Sequence, residues 1–222
     1  MKKILLGVAA LLGLVAVLLG PDLLDLYRLD RFITASTEAY RADGGPWPHL
    51  TDECAGCHGF NGHSADQRYP SLAAQPAAYI TAQLRSFASG QRASPNMGPL
   101  AMTLSDAEIK RVADYYSAKP AGTNASFTAD PALREKGSQL VAAGGCAACH
   151  GPALSGREAF PRLAGQGFDY LVAQLDAFAS GARSEPTGTM KRLASAASPD
   201  ERKAIATFLA SADPAPQKDR RE

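Results

Sequence analysis

Cysteine is scarce in this chain: only four occur, at 54, 57, 146 and 149, and they fall in two pairs. None is left over for a separate disulfide. Net charge is equally sparse. The 23 Lys and Arg against 22 Asp and Glu leave +1, which excludes the basic balance of a nucleic-acid binder and any strong electrostatic steering. Val and Ile are few beside Ala and Gly, which disfavours sheet and leans the chain toward helix. There are four His and four Met, so the side chains able to ligate a soft metal are few enough to take one by one.

The cysteines lie in a pentapeptide that occurs twice, Cys54-Ala55-Gly56-Cys57-His58 and Cys146-Ala147-Ala148-Cys149-His150. C-x-x-C-H is the attachment signal of c-type haem. The two thiols add to the haem vinyl groups as thioethers, and the histidine that follows becomes an axial iron ligand. A lone C-x-x-C is shared with zinc sites and redox disulfides. A zinc site here would have to borrow cysteines from both motifs, and a thioredoxin-like motif needs a βαβ surround that is absent. The pattern predicts two covalently bound haem c groups. Cys54, Cys57, Cys146 and Cys149 would attach them, with His58 and His150 on the irons.

Most of the chain is a duplication. Tyr69-Pro70-Ser71-Leu72-Ala73-Ala74-Gln75 matches Phe160-Pro161-Arg162-Leu163-Ala164-Gly165-Gln166, and the stretch 79–90 matches 170–181. The offset is 92 at the haem motifs, 91 at the prolines and 93 between Met97 and Met190. That period exceeds any solenoid repeat, so a whole domain is doubled. Apolar spacing predicts helices over 79–89 and 170–180. Last helices open after Ser105-Asp106 and at Ser198-Pro199-Asp200. The second copy has a further helix over 131–142. The first lacks an obvious counterpart, and a preceding polar stalk is expected to take its place. Counted over 46–120 and 121–213, each copy has zero net charge, so no like-charge repulsion keeps the two apart.

A haem with one histidine has an open face, and its occupant separates electron transfer from catalysis. Met97 and Met190 fall at the same repeat position, in loops expected to be irregular and rich in Pro and Gly. They are the candidate second ligands, with Met102 the competitor for the first haem. His49 and His63 are histidine alternatives in the first copy only; the bland reading of both is a solvated loop imidazole. A ligating histidine needs its other nitrogen bonded, and Pro70 and Pro161 offer carbonyls one loop beyond each motif. Arg92 and Arg183 would neutralise haem propionates or stand as surface charges.

The chain begins Met1-Lys2-Lys3 and then runs apolar over 4–20. Seventeen residues exceed a usual signal-peptide core and just reach the length of a span, and no A-x-A-like site follows. An uncleaved membrane anchor is favoured over a cleaved signal peptide; either exports the chain to the periplasmic side. The expected organisation is an anchor or signal over 1–20, a stalk over 21–45 and cytochrome c domains over 46–120 and 127–213. A linker over 121–126 joins the domains, and a polar tail covers 214–222. Gly44-Gly45-Pro46-Trp47-Pro48 is expected to break the stalk from the first domain.

With these residues in hand the chain resembles the cytochrome c4 family, the tandem di-haem class I cytochromes c. The likeness spans about residues 50–210. It rests on both C-x-x-C-H motifs, the Tyr/Phe-Pro-x-Leu-Ala-x-Gln segments, the Tyr-Ile/Leu-x-x-Gln-Leu-x-x-Phe-x-x-Gly helices and the Met97 and Met190 loops. It implies an all-α fold of two cytochrome c domains packed face to face, His/Met ligation at both irons, and propionates near the interface. It also implies electron carriage in a respiratory chain from a quinol-oxidising, cytochrome bc1-type complex to a terminal haem-copper oxidase of cbb3 or aa3 type. The N-terminal anchor and the missing first helix depart from the family pattern and favour a tethered carrier or a bound subunit of an oxidase or dehydrogenase. A di-haem enzyme such as a peroxidase would need an open iron or a cysteine ligand; each haem has a Met candidate and no fifth cysteine exists.

Overall fold

The computed structural model describes residues 2–42 and 49–214. The expected break over 44–48, and all but the first residue of the expected tail, lie outside them, as do most side chains over 3–18. The chain divides into two units, residues 1–47 and 48–222. The first holds one helix, α1 (Lys2–Ala42), which continues through Pro21. The segments expected as an anchor or signal and a stalk form, over residues 2–42, one helix of 41 residues, about 60 Å long at 1.5 Å per residue. Among the described residues no helix is long and apolar enough to cross a membrane, and the apolar run itself consists mostly of side chains outside them.

The second unit is all helix and loop; no strand occurs among its described residues beyond an isolated bridge between Arg157 and Phe160. The first copy contains α2 (Asp52–His58), α3 (Ala77–Ala88), α4 (Met97–Met102) and α5 (Asp106–Ala118). The second contains α6 (Pro131–Ala143), α7 (Ala147–His150), α8 (Phe168–Ser180), α9 (Thr189–Ala196) and α10 (Pro199–Ser211). The last helix of each copy starts where the sequence places it. Ser105 and Glu108 form a reciprocal capping box, and so do Ser198 and Glu201, with Pro199 at the first turn.

Met97 and Met190 are not in irregular loops. Met97 opens α4, its N–H bonded to Ser94 Oγ at 3.1 Å, and Met190 sits in the first turn of α9, its N–H bonded to Glu185 Oε1 at 2.9 Å. Pro95, Pro186 and Gly188 lie just before the helix starts, and Gly98 and Pro99 fall in the first turn of α4, where a proline costs no intrahelical hydrogen bond.

Each copy has its own core: Ile80, Leu84, Ile109, Val112 and Tyr116 in the first, Val141, Leu154, Leu171 and Leu209 in the second. In the second, α6 lies across α10, where Ala204, Thr207 and Ala210 are buried. The matching positions on α5 are Arg111, Asp114 and Ser117, and the first two are exposed. That face of α5 is polar and calls for no apolar helix, and no counterpart of α6 packs there among the described residues.

The segment expected as a linker is bonded on both sides. Asn124 and Gln67 exchange amide bonds at 3.0 and 2.9 Å, Asn124 Nδ2 donates to Gln166 O at 3.0 Å, and Ser126 Oγ donates to Ala65 O at 2.9 Å. Gln67 also caps a helix of the other copy. The N-cap of α8 is Gly167, which has no side chain to accept from the helix's first N–H groups. Gln67 Oε1 accepts from Phe168 N–H at 2.8 Å, and Gln67 O accepts from Tyr170 N–H at 2.8 Å. Gln67→Ala should therefore cost about 1 to 2 kcal/mol, the usual worth of a lost cap, read as a lower midpoint in chemical denaturation. An unchanged midpoint would show that α8 finds its cap elsewhere.

Candidate functional site

Each C-x-x-C-H motif folds as a short helix that ends on its histidine. Gly59 and Gly151 follow at once with φ of +76° and +84° and turn the chain back. The returning loop brings a proline carbonyl onto each histidine. His58 Nδ1 lies 2.8 Å from Pro70 O, and His150 Nδ1 lies 2.8 Å from Pro161 O. A carbonyl only accepts, so both rings carry the proton on Nδ1, and Nε2 keeps a lone pair. The edge of an aromatic ring packs on each imidazole: Tyr69 on His58 at 6.4 Å and Phe160 on His150 at 6.2 Å between centroids. Burial pushes both histidines below the ordinary imidazole value, with the proline carbonyl opposing. They are neutral at pH 7, the state a metal ligand requires.

The loop that carries Pro161 leaves no room for a side chain at Gly156. Gly156 has φ +79°, donates its N–H to His150 O at 2.8 Å, and has Pro161 C and Arg162 N where a Cβ would fall, at 2.7 and 2.4 Å. A larger residue there would push the Pro161 carbonyl off His150.

The four thiols form no disulfide. Burial raises Cys54 and Cys146 above the ordinary thiol value, so neither is an activated thiolate on its own. Among the described residues, His, Cys, Asp and Glu gather in no group of three or more that would hold a metal ion. Cys54 and Met97 pack against the same core in the first copy, and Cys146 against the core of the second. Met102, by contrast, is 71% exposed and lines an open surface hollow with Phe87, Arg92 and Pro99. His49 lies beside Asp52, at 3.6 Å, and His63 is exposed, its ring pushed down by partial burial and by nearby Arg162. A neutral imidazole backed by a carbonyl, thiols four residues and one residue before it, and a half-buried thioether in the same domain fit a covalently attached haem.

Arg92 and Arg183 meet in a junction between the copies. Arg92 donates to Gln83 Oε1 of its own copy at 2.7 Å, and to Gln174 Oε1 and Tyr170 OH of the other at 2.8 and 3.2 Å. Arg183 mirrors it, bonding Gln174 at 2.7 Å, Gln83 at 3.0 Å and Tyr79 OH at 3.2 Å. Their guanidinium carbons lie 4.6 Å over Phe87 and Phe178.

Sequence reasoning also misses Arg162, 1% exposed. It reaches into the first copy, donating to Ala73 O from Nε at 3.2 Å and from Nη2 at 3.0 Å, and from Nη2 to Ser71 O at 3.3 Å. It also bonds Ala164 O. Burial pulls it down to about 10, so it is still charged at neutral pH. The signal for it was a lone Arg in the repeated Pro-x-Leu-Ala segment, where the first copy has Ser71.

Comparison with known proteins agrees with this geometry. Residues 134–213 match the family model described as cytochrome c, and residues 47–115 match that of cytochrome c oxidase, cbb3-type, subunit III. The chain is 41% identical over 167 residues to a thiosulfate dehydrogenase electron acceptor of Stutzerimonas stutzeri (strain A1501), covering 71% of this chain and 77% of that protein. It is 36% identical over 167 residues to a cytochrome c4 of Thiocapsa roseopersicina, covering 70% and 85%. The crystal structure of reduced recombinant cytochrome c4 from Pseudomonas stutzeri matches with a TM-score of 0.68 at 28% identity, over 73% of this chain and 95% of that one. Two cytochrome c domains carry two covalently bound haem c groups. The chain belongs to the cytochrome c4 family, electron carriers rather than enzymes.

Proposed function

We propose that this di-haem carrier works on the periplasmic side of a bacterial inner membrane, held there by its first twenty residues, and delivers electrons to a terminal haem-copper oxidase. Cys54 and Cys57 hold one haem and Cys146 and Cys149 the other. His58 and Met97 ligate the first iron, His150 and Met190 the second. Bound there, the haem supplies one-electron oxidation and reduction. The protein's part is to keep both histidines neutral and oriented, to supply a half-buried thioether in each domain that would complete the ligand set, and to lock two domains together. The pair of buried, carbonyl-backed histidines carries the reading. Arg92 and Arg183, which pair with no carboxylate among the described residues, bring positive charge to the junction for the propionates.

Two donors are in view. The family resemblance points to a quinol-oxidising bc1-type complex, and the relative that serves as electron acceptor of a thiosulfate dehydrogenase points to that enzyme class. A second reading, a bound subunit of an oxidase, is favoured by the match of residues 47–115 to a subunit of a cbb3-type oxidase. Salt-washed membranes containing the full chain distinguish these. The chain should stay with the washed membranes and be reduced within turnover by quinol or by thiosulfate with its dehydrogenase, whichever is the donor. Air should then reoxidise it. Release by salt with an N-terminus beyond residue 20 would refute the tether. Reduction by neither donor would refute the route, and inseparable co-purification with the oxidase would establish the bound-subunit reading.

A further inference from the structure

The peptide group that joins Pro70 to Ser71 is engaged on both sides. Its carbonyl accepts from His58 Nδ1–H at 2.8 Å, and its N–H, on Ser71, donates to Gln166 Oε1 at 2.9 Å. The peptide group joining Pro161 to Arg162 repeats the pattern. Its carbonyl accepts from His150 at 2.8 Å, and its N–H donates to Gln75 Oε1 at 2.9 Å. Each glutamine closes a second bond to the same residue. Gln166 Nε2 donates to Ser71 O at 2.7 Å and Gln75 Nε2 to Arg162 O at 2.9 Å. Both glutamines are buried, Gln75 at 3% and Gln166 at 1% exposure. In both cases the glutamine belongs to the opposite copy from the histidine.

A peptide group whose N–H is donating has a more polarised carbonyl, because hydrogen bonds in a chain strengthen one another in a low-dielectric interior. A stronger acceptor draws more on the Nδ1 proton and makes Nε2 a better electron donor. A better donor favours ferric iron, and so lowers the reduction potential. The two-point grip also fixes the plane of the peptide and with it the direction of the imidazole.

We propose that Gln166 is a positioning residue for His58 and Gln75 for His150, so that each copy tunes the haem held by the other. The proposal rests on His58 and His150 being the iron ligands.

The test uses the full, haem-loaded chain with Gln166→Met and Gln75→Met, following each haem at its own hyperfine-shifted methyl resonances during a redox titration. Gln166→Met should raise the reduction equilibrium constant of the His58 haem about threefold, or about 28 mV at 59 mV per tenfold for one electron. It should leave the His150 haem unmoved, and Gln75→Met should do the reverse. Tyr79→Phe, which removes a junction bond but neither glutamine, should shift neither. Equal shifts of both haems, a shift in the glutamine's own copy, or none would overturn the proposal, since a merely loosened interface moves both alike. Should either variant fail to fold, hydrogen exchange of the wild-type protein decides. The Ser71 and Arg162 amides should be strongly protected, and exchange at the rate of exposed loop amides would overturn the relay. Failure of the ligand reading looks different: the His58 or His150 ring N–H would show no hyperfine shift in the ferric wild-type protein.

Discussion

Gly137→Ala should separate α6 from α10 and lower the stability of the protein by about 3 kcal/mol or more, at the upper end of what overpacking costs. The two helices cross with backbone against backbone. A Cβ on Gly137 would lie 2.0 Å from Ala204 O, 2.7 Å from Ala204 C and 2.8 Å from Phe208 Cβ. The first two are main-chain atoms, so no rotamer change relieves the clash and one helix must move. α10 cannot move alone. Leu209 O accepts from Gly165 N–H at 2.9 Å, which ties α10 to the segment that carries Gln166. Gly56→Ala is the contrast. A Cβ there meets nothing within 4 Å, and the change only turns the first haem motif into the second, so it should leave stability within about 0.5 kcal/mol of wild type. Chemical denaturation of the haem-loaded protein measures both. Equal midpoints for Gly137→Ala and wild type would refute the packing argument.

Met97→Leu should open the first iron, giving a reduced protein that binds carbon monoxide at that haem alone, at a lowered reduction potential. Met190→Leu should do the same at the second. Met102→Leu should do neither. Met97 is half-buried against the core that also receives Cys54, whereas Met102 stands at the far end of α4 with 71% of its surface exposed. Carbon monoxide titration, followed in the visible spectrum, separates the three variants. Rapid, stoichiometric binding by the untreated wild type, or opening of the iron by Met102→Leu in place of Met97→Leu, would overturn the ligand set.

Local chemistry in this chain is legible from the sequence; the pairing of its halves is not. The C-x-x-C-H motifs and the Ser-Asp and Ser-Pro-Asp helix starts involve residues a few positions apart, where spacing dictates geometry, and the proline carbonyls lie 12 and 11 residues beyond their histidines, within a single loop. Each proline does bond its histidine. Arg92 and Arg183 are visible as a repeated pair, yet their cross-copy partners lie 78 to 104 residues away, and no local pattern announces them. The same holds for Gln67 at the start of α8. Gln75 and Gln166 did leave a signal: an amide at the same place in both halves, beside Leu-Ala in an apolar segment. A buried amide needs partners, and here each finds them across the repeat. The helical starts at Met97 and Met190 were obscured because Pro and Gly punctuate both loops and helix entrances.

His58 with Met97, and His150 with Met190, are proposed to hold the two irons, in a chain that carries electrons rather than reacts. The far-red absorption of the ferric protein tests this most directly, because a thioether bound to ferric haem gives a band there that neither bis-histidine nor open haems give. Normalised to haem content, the wild-type band should correspond to two thioether-ligated haems per chain, and Met97→Leu and Met190→Leu should each remove half. A wild-type band of half that size, or none, would contradict the account.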